Sequence, residues 1–571
     1  HLGLPTRSVH GLPIIEHAEF GRNVPDEAMP DEDKMNLGKI YHMGKEEAAG
    51  LLLNRQAMAS HTFITGSTGT GKSNAVYHLL DEITKNGQTT FLVVEPAKGE
   101  YKNVFGNCTD VQVFGTNPRE TPLLRMNPFA FPENIHILEH IDRLVEIFNA
   151  CWPMYAAMPA VLKDAIERSY QKVGWDLRNS ESEKGVFPTF FDLLDILPGV
   201  IEESHYSKDT QSDYVGALCT RVKSLTNGIY GSVLCAEDAL TDDAMFDRNV
   251  IVDLSRVGSM ETKSLLMGIL VMKLQEYRMC SSGMNSRLRH VTVLEEAHNL
   301  LRKTSAEQSQ EGANLQGKSV EMLANAIAEM RTYGEGFIIA DQAPGLLDMS
   351  VIRNTNTKII LRLPDEEDRK LVGKSAALKE AQIDELSKLP LGVAAVYQNE
   401  WPEAVLCKIE AYPMPENAVY HKPSKMPHEI NAEFVFGQLA AGKELEPLSI
   451  SEMEQLKLWL KRHETVLKPE YSRYLERVFA GGELDVAKTR KAVFDFFGGI
   501  STVVDYCAAA EKSLTPRKEF LEQLQGQYGL KAAAADWVLN SVISMGMSLN
   551  PDAKAVDNLR TNFEQQGGRV L

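Results

Sequence analysis

Gly66-Ser67-Thr68-Gly69-Thr70-Gly71-Lys72-Ser73 organises the reading of this chain. The eight residues match G-x-x-x-x-G-K-[ST], a loop that cradles phosphates. Glycines let the backbone curl so that its N–H groups converge on an anion. In this reading the stretch Gly66, Ser67, Thr68, Gly69, Thr70 and Gly71 wraps the phosphates, Lys72 reaches the β- and γ-phosphates, and the Ser73 hydroxyl ligates Mg²⁺. The flanks agree. His61 to Thr65 reads as a short buried strand. Asn74 to Asn86 reads as a helix, with Val76, Leu79, Leu80 and Ile83 at i, i+3, i+4 and i+7, and Asn86-Gly87 supplies its stop. Strand, glycine loop and helix N-terminus together make an anion site. The chain is expected to bind a nucleoside triphosphate.

A phosphate loop needs a partner strand that ends in acids. His290-Val291-Thr292-Val293-Leu294-Glu295-Glu296 fits: an apolar run, then two carboxylates at the edge where ligands collect in open α/β sheets. Glu295 is expected to hold the Mg²⁺ shell, and Glu296 to polarise the attacking water. Many such enzymes place Asp at the first position, so the longer Glu295 is a departure. Gly336 to Gln342 reads as a neighbouring strand, and Gln342 as the sensor of the γ-phosphate. Ser319 to Tyr333 reads as a helix with Val320, Leu323, Ile327 and Met330 on one face and Arg331 near its end. Two readings stand for Arg331: a cation that stabilises transition-state charge, across a subunit interface, or a helix C-terminal cap.

Further strands are expected at Thr89–Glu95, Val111–Gly115, Asn249–Leu254, Lys358–Leu363, Gly392–Gln398 and Glu403–Ile409. Several are continuous apolar runs, as in strands buried on both faces of a parallel sheet. The fold class is therefore α/β, a mostly parallel sheet flanked by helices. Residues 1–35 form an N-terminal segment, 36–132 and 246–412 the two parts of the α/β core, and 133–245 a helical insertion. A proline-rich linker spans 413–427, and 428–571 reads as all-helical. His136-Ile137-Leu138-Glu139-His140 matches an inverted zinc-protease pattern, which we decline because nothing nearby supplies a third ligand.

Composition narrows the class. A chain of 571 residues suggests two to four domains, and 43% hydrophobic with 24% charged residues is ordinary for a globular protein. The longest apolar run, near Leu265 to Met272, is far short of a membrane span. Seven cysteines without a C-x-x-C pair argue against a zinc ribbon or a disulfide framework and point to a reducing cytoplasm. With 60 basic against 78 acidic residues the net charge is −18, so any DNA contact is expected from a local basic lining.

The phosphate loop, Val293-Leu294-Glu295-Glu296-Ala297-His298 and the run from Arg331-Thr332-Tyr333-Gly334 to Asp341-Gln342-Ala343-Pro344 arrive in the order seen in HerA-type ATPases of the FtsK–HerA superfamily. Glu95-Pro96-Ala97-Lys98-Gly99-Glu100-Tyr101 resembles that family's acidic stretch, and Arg353 to Thr357 with Leu361 to Pro364 resembles its last core strand. The resemblance covers about residues 1 to 412. It implies a RecA-like core, ATP as the nucleotide, a homohexameric ring with ATP between subunits, and a pore that moves double-stranded DNA. It also implies an N-terminal barrel, whose end falls near the start of this chain. Ala59-Ser60 stand where the family often has a basic residue, which leaves the trans-acting arginine open between Arg55, Arg331 and Arg353. The polar loop from Arg302 to Lys318 reads either as a pore lining or as a surface loop.

HerA-type proteins work with an effector, a nuclease or a sirtuin-like NADase. With 21 Met and 7 Cys the chain looks mesophilic and bacterial, which tilts the expectation toward anti-phage defence. Two functions remain open at this point: a DNA-translocating motor, or an ATP-regulated scaffold that activates an effector.

Overall fold

The computed structural model describes residues 17–24, 29–154, 157–182, 185–236, 239–304, 315–414, 418–422, 474, 485–510, 512–513, 515–528 and 532–570. The chain divides into two compact units. One comprises His1–Ser169, Pro188–Ala236 and Asp242–Lys422; the other comprises Tyr170–Phe187, Glu237–Thr241 and Pro423–Leu571.

The first unit is built on one large sheet. Its strands are β1 (Lys34–His42), β2 (Lys45–Asn54), β3 (Thr62–Thr65), β4 (Thr90–Glu95) and β5 (Val111–Gly115). After a small hairpin of two-residue strands in the second unit, β6 (Trp175–Asp176) with β7 (Glu181–Ser182), come β8 (Asn249–Asp253), β9 (His290–Glu295), β10 (Glu335–Asp341), β11 (Thr357–Ile360), β12 (Val393–Gln398) and β13 (Val405–Ile409). The order across the sheet is β2-β1-β13-β12-β11-β3-β10-β9-β4-β8-β5. From β11 to β5 every pairing is parallel. From β11 to β2 every pairing is antiparallel.

The parallel strands are buried along their length, as their apolar runs require. Ile64, Leu80, Val93, Val293, Ile338 and Ile359 form part of one core. Sequence reading missed the β1–β2 hairpin. Lys45 to Gly50 is mostly exposed, so the strand carries little of the period-2 apolar signal that marks a half-buried strand. Expected strand 358–363 stops at Ile360 instead, because the Arg362 carbonyl turns to accept from Ser67 N at 3.0 Å and Ser67 Oγ at 3.1 Å.

Helix α1 (Lys72–Thr84) starts inside the glycine loop, two residues earlier than its apolar period suggests. Short helix α2 (Tyr101–Phe105) follows β4. Between β5 and β8 the chain runs through α3 (Ile137–Cys151), α4 (Met158–Lys172), α5 (Phe190–Glu203), α6 (Lys208–Tyr214), α7 (Thr220–Thr226), α8 (Gly228–Leu234) and α9 (Asp242–Phe246). Then come α10 (Met260–Ser281) and α11 (Leu315–Glu329), which ends in a 3-10 turn at Met330–Tyr333, and α12 (Met349–Arg353). The H-x-x-E-H residues do not converge. His136 caps α3, Glu139 pairs with Arg143 at 3.3 Å, and buried His140 bonds Glu276 at 3.0 Å.

In the second unit, helices Val486–Phe496, Gly499–Ala510, Pro516–Tyr528, Ala532–Leu549 and Ala553–Gln565 enclose a core that includes Phe496, Tyr506, Leu539, Ile543 and Phe563. Among the described residues no single helix is long and apolar enough to cross a membrane; one bent pair, Lys488–Phe496 with Gly499–Ala510 at 63°, meets the length and composition alone. The expected linker 413–427 and the start of the helical region lie largely outside the described residues.

The edge of the sheet where the parallel strands begin is held by buried charge. Glu335, which opens β10, accepts from Arg278 Nε at 2.8 Å and Thr292 Oγ1 at 2.8 Å, and meets His290 Nδ1 at 2.8 Å. Burial alone would raise this carboxyl, but the charges of His290 and Arg278 outweigh it and bring Glu335 to about 2. Glu335→Ala takes one of its two carboxylate partners from Arg278, a fully buried guanidinium that keeps Asp247 at 2.7 Å, and leaves Thr292 Oγ1 and His290 Nδ1 without theirs. With one carboxylate retained, the loss is expected near the lower end for a broken buried pair, about 3 kcal/mol. The denaturant midpoint of the sheet-bearing unit, followed by tryptophan fluorescence or circular dichroism, should fall accordingly.

Candidate nucleotide site

The parallel strands β3, β10, β9, β4 and β8 all end at the same edge, and each delivers a polar group there. From β3 the chain turns into the glycine loop. Thr70 N and Oγ1 both donate to Ser67 O, at 3.3 and 2.7 Å. Gly71 has φ 105°, a backbone conformation that side chains resist, and it hands the chain to α1 at Lys72. The unpaired N–H groups of the first turn of α1 therefore open onto the loop.

Lys72 is 7% exposed. Its Nζ sits 3.5 Å from Glu295 Oε2 and 3.4 Å from Glu296 Oε1, so both acids of the expected pair meet it. Glu295 ends β9 and is buried. Glu296 adopts the left-handed backbone conformation (φ 45°, ψ 51°), unusual outside glycine, and this twist brings its carboxylate round to Lys72. The strand β10 lies between β3 and β9. Gln342 follows it and bridges the gap: Thr68 Oγ1 donates to Gln342 Oε1 at 2.6 Å, and Gln342 Nε2 donates to Glu296 Oε1. Loop, bridging amide and acid thus form one connected chain. Ser73 lines the same cleft of about 280 Å³, together with Glu95, Lys98, Tyr101 and Glu295.

The expected arginine is not part of this cluster. Arg331 is exposed and precedes β10, whereas Gln342 follows it; seven strand residues separate the ends by roughly 20 Å. Arg353 is also exposed and lies before β11, at the same far edge. Arg55 is buried and committed inside its own subunit: its guanidinium donates to the carbonyls of Glu32, Glu82 and Ile83, the last two in the final turn of α1. Of the Arg302 to Lys318 loop, residues 305–314 lie outside the described residues; Arg302, Lys303 and Lys318 at its ends are exposed.

Three contributors were not legible beforehand. Asp341, fully buried, accepts from His298 N at 2.8 Å and Ala343 N at 2.9 Å and meets His298 Nδ1 at 2.9 Å. His298 Nδ1 also lies 3.6 Å from Glu296 Oε2. The hydrogen bond to Asp341 outweighs burial and raises His298 above its ordinary range. Donor atoms of Glu296, His298 and Asp341 lie within 4.8 Å of one another, the spacing of a metal site. Asp341 already satisfies three N–H groups, so the trio reads better as a clamp on the segment after Glu296. The third is Tyr101, whose hydroxyl donates to Glu295 Oε1 at 2.5 Å. Each sits beside a residue singled out in the sequence, but only folding brings the pairs together.

This fold and this constellation of loop lysine, paired acids and bridging amide define a P-loop nucleoside triphosphatase. Residues 35–271 match the family described as helicase HerA, central domain. The DNA double-strand break repair helicase HerA of Sulfolobus acidocaldarius is 25% identical over 393 residues, covering 66% of this chain and 69% of that protein. A probable helicase of Methanocaldococcus jannaschii is 23% identical over 436 residues, 70% of this chain and 76% of that protein. The structure of VirB4 of Thermoanaerobacter pseudethanolicus has the same fold, with TM-score 0.50 and 18% identity over 67% of this chain and 98% of that one. Residues 35–271 thus carry a HerA-type central domain, and the chain is a P-loop ATPase similar to the HerA helicases.

Glu95, at the end of β4, gives the site a pH signature. Burial raises it to about 7, assisted by the charges of Asp253 and Glu295 and opposed by the N–H groups of Glu100 and Tyr101. The folded acid keeps its proton to higher pH than the unfolded chain does, so the native state binds more protons between about 4.5 and 7. Nucleotide-free stability should therefore fall as pH rises through that window, by up to about 3 kcal/mol. In Glu95→Gln the denaturation midpoint should lose most of that slope.

Proposed function

We propose that this chain is the ATP-hydrolysing subunit of a homohexameric ring that translocates double-stranded DNA for an effector, such as a nuclease or a sirtuin-like NADase, in bacterial anti-phage defence. The observation that carries the hydrolytic part is the connected chain Thr68–Gln342–Glu296–Lys72, which ties the phosphate loop to the second acid.

In this reading the loop backbone and Lys72 hold the phosphates, Glu296 orients and deprotonates the attacking water, and Gln342 reports the γ-phosphate to both. The Ser73 hydroxyl and the Glu295 carboxylate are hard oxygen donors of the kind Mg²⁺ takes, and they line one cleft. Bound there, Mg²⁺ would neutralise charge on the β- and γ-phosphate oxygens. Phosphate entry would take over the Lys72 ammonium from the two carboxylates that now share it.

Ring assembly is supported by where the arginines lie. Arg331 and Arg353 are exposed at the edge of the sheet opposite their own phosphate loop. A head-to-tail ring would bring that edge of one subunit to the nucleotide of the next, where an arginine stabilises transition-state charge in trans. DNA handling is supported by likeness to relatives named DNA repair helicases. The scaffold reading keeps one observation in its favour, the net charge of −18, which repels a polyanion everywhere except at a local basic lining.

Turnover of ATP by the purified ring, with and without linear duplex DNA, separates the two. Lys72→Ala and Glu296→Gln should each lower turnover at least about 100-fold, Glu296→Gln while still binding nucleotide. Undiminished activity in both would overturn the site. DNA stimulation that Lys303→Glu abolishes supports the motor, and indifference to DNA supports the scaffold.

The trans arginine has its own test. Arg331→Ala or Arg353→Ala should cut turnover by about 1,000-fold with nucleotide affinity retained. Full activity in both variants would overturn the trans arrangement.

A further inference from the structure

Glu295 stands where a shorter Asp is the common choice, and the structure shows how the longer side chain is held. Its Oε1 accepts from the Tyr101 hydroxyl at 2.5 Å, while its Oε2 faces Lys72 Nζ at 3.5 Å. An extra methylene gives glutamate one more rotatable bond, and without a brace its carboxylate samples several positions. A short hydrogen bond to an ionised carboxylate is a strong one.

The brace is itself fixed from three sides. The Glu95 carboxylate accepts from Glu100 N at 2.7 Å and Tyr101 N at 3.1 Å, which anchors the first turn of α2. The Tyr101 ring meets Tyr77 edge-on, with centroids 4.9 Å apart and planes at 81°. Tyr77 belongs to α1, the helix that carries Lys72 and Ser73. Gly99 has φ 70°, and a Cβ there would lie 2.9 Å from Ser255 Oγ and 3.3 Å from the Asp253 carboxylate, so the loop before Tyr101 is pressed against the end of β8. Tyr101 is 2% exposed and has no room to swing.

We propose that Tyr101 is a positioning residue: by taking Glu295 Oε1 it fixes which oxygen of a glutamate is presented to the divalent cation, and so lets this longer acid replace aspartate. The proposal rests on the reading of Glu295 as part of the metal shell. Partners of this kind, which hold a ligand rather than bind the metal, are worth about 10- to 100-fold in metal affinity.

The test uses Mn²⁺ as a spectroscopic stand-in for Mg²⁺. Binding of Mn²⁺ to the full-length protein with ADP is followed by electron paramagnetic resonance, alongside ADP affinity in EDTA. Tyr101→Phe keeps the ring and the Tyr77 contact and should weaken Mn²⁺ by about 10-fold while leaving metal-free ADP binding unchanged. Glu295→Asp is too short to keep the hydroxyl contact, so in that background Tyr101→Phe should change Mn²⁺ affinity by less than about twofold. Equal losses in both backgrounds would mean a general disturbance and overturn the proposal. So would Tyr101→Phe without effect when Glu295→Gln does weaken Mn²⁺. If Glu295→Gln leaves Mn²⁺ affinity intact, the metal-shell reading itself falls, and the proposal with it. Should Tyr101→Phe not fold, Tyr101→His, which keeps a ring but places no hydroxyl at Glu295 Oε1, is read in the same two backgrounds, and equal losses in both would again overturn the proposal.

Discussion

A lysine ammonium held between two carboxylates is costly to bury and hard to misplace. Lys72 comes from the loop after β3, and Glu295 and Glu296 come from the end of β9, two strands away. Their charges compensate one another only if the parallel strands end level, with β10 seated between them. A slip of one residue in either register would turn an apolar side chain toward Lys72 and a carboxylate toward the core. The mutual pairing of Thr62 to Thr65 with Ile338 to Asp341, and of Glu335 to Ala340 with His290 to Glu295, is therefore the framework on which the site depends.

The two edges of this sheet divide their labour. Where the parallel strands end, the charges are partly open to a cleft, and Gly69, Gly71, Gly99 and Glu296 all have positive φ. Where they begin, Arg278, Glu335 and His290 are almost wholly enclosed and mutually paired. The enclosed network locks the register of β9 against β10. That rigidity is what lets the open edge hold a polar constellation, since a group fixed before its ligand arrives loses less entropy on binding.

Much of the nucleotide site was legible because its signals are local. Glycine spacing, a lysine followed by a hydroxyl, an apolar strand ending in two acids and a polar residue ending the next strand are all read within short windows. Gln342 was found this way, and it does join the phosphate loop to Glu296. Tyr101, His298 and Asp341 gave no such signal, because what distinguishes them is a contact with a residue far away in the chain: Tyr101 with Glu295, and His298 with Asp341. Arg55 shows the opposite case, a cation plausible by position that is committed to helix carbonyls once the chain folds.

The chain by itself determined the phosphate loop, the acid strand and the α/β class, since hydrophobic period and glycine chemistry act over a few residues at a time. Only the tertiary structure decided the strand order, the antiparallel extension through β1 and β2, and which side chains brace the acids. The physical reason is the same throughout. Hydrogen bonds and ion pairs reach about 3 to 4 Å, so a partner 40 or 200 residues distant in sequence becomes meaningful only when the sheet has brought it there.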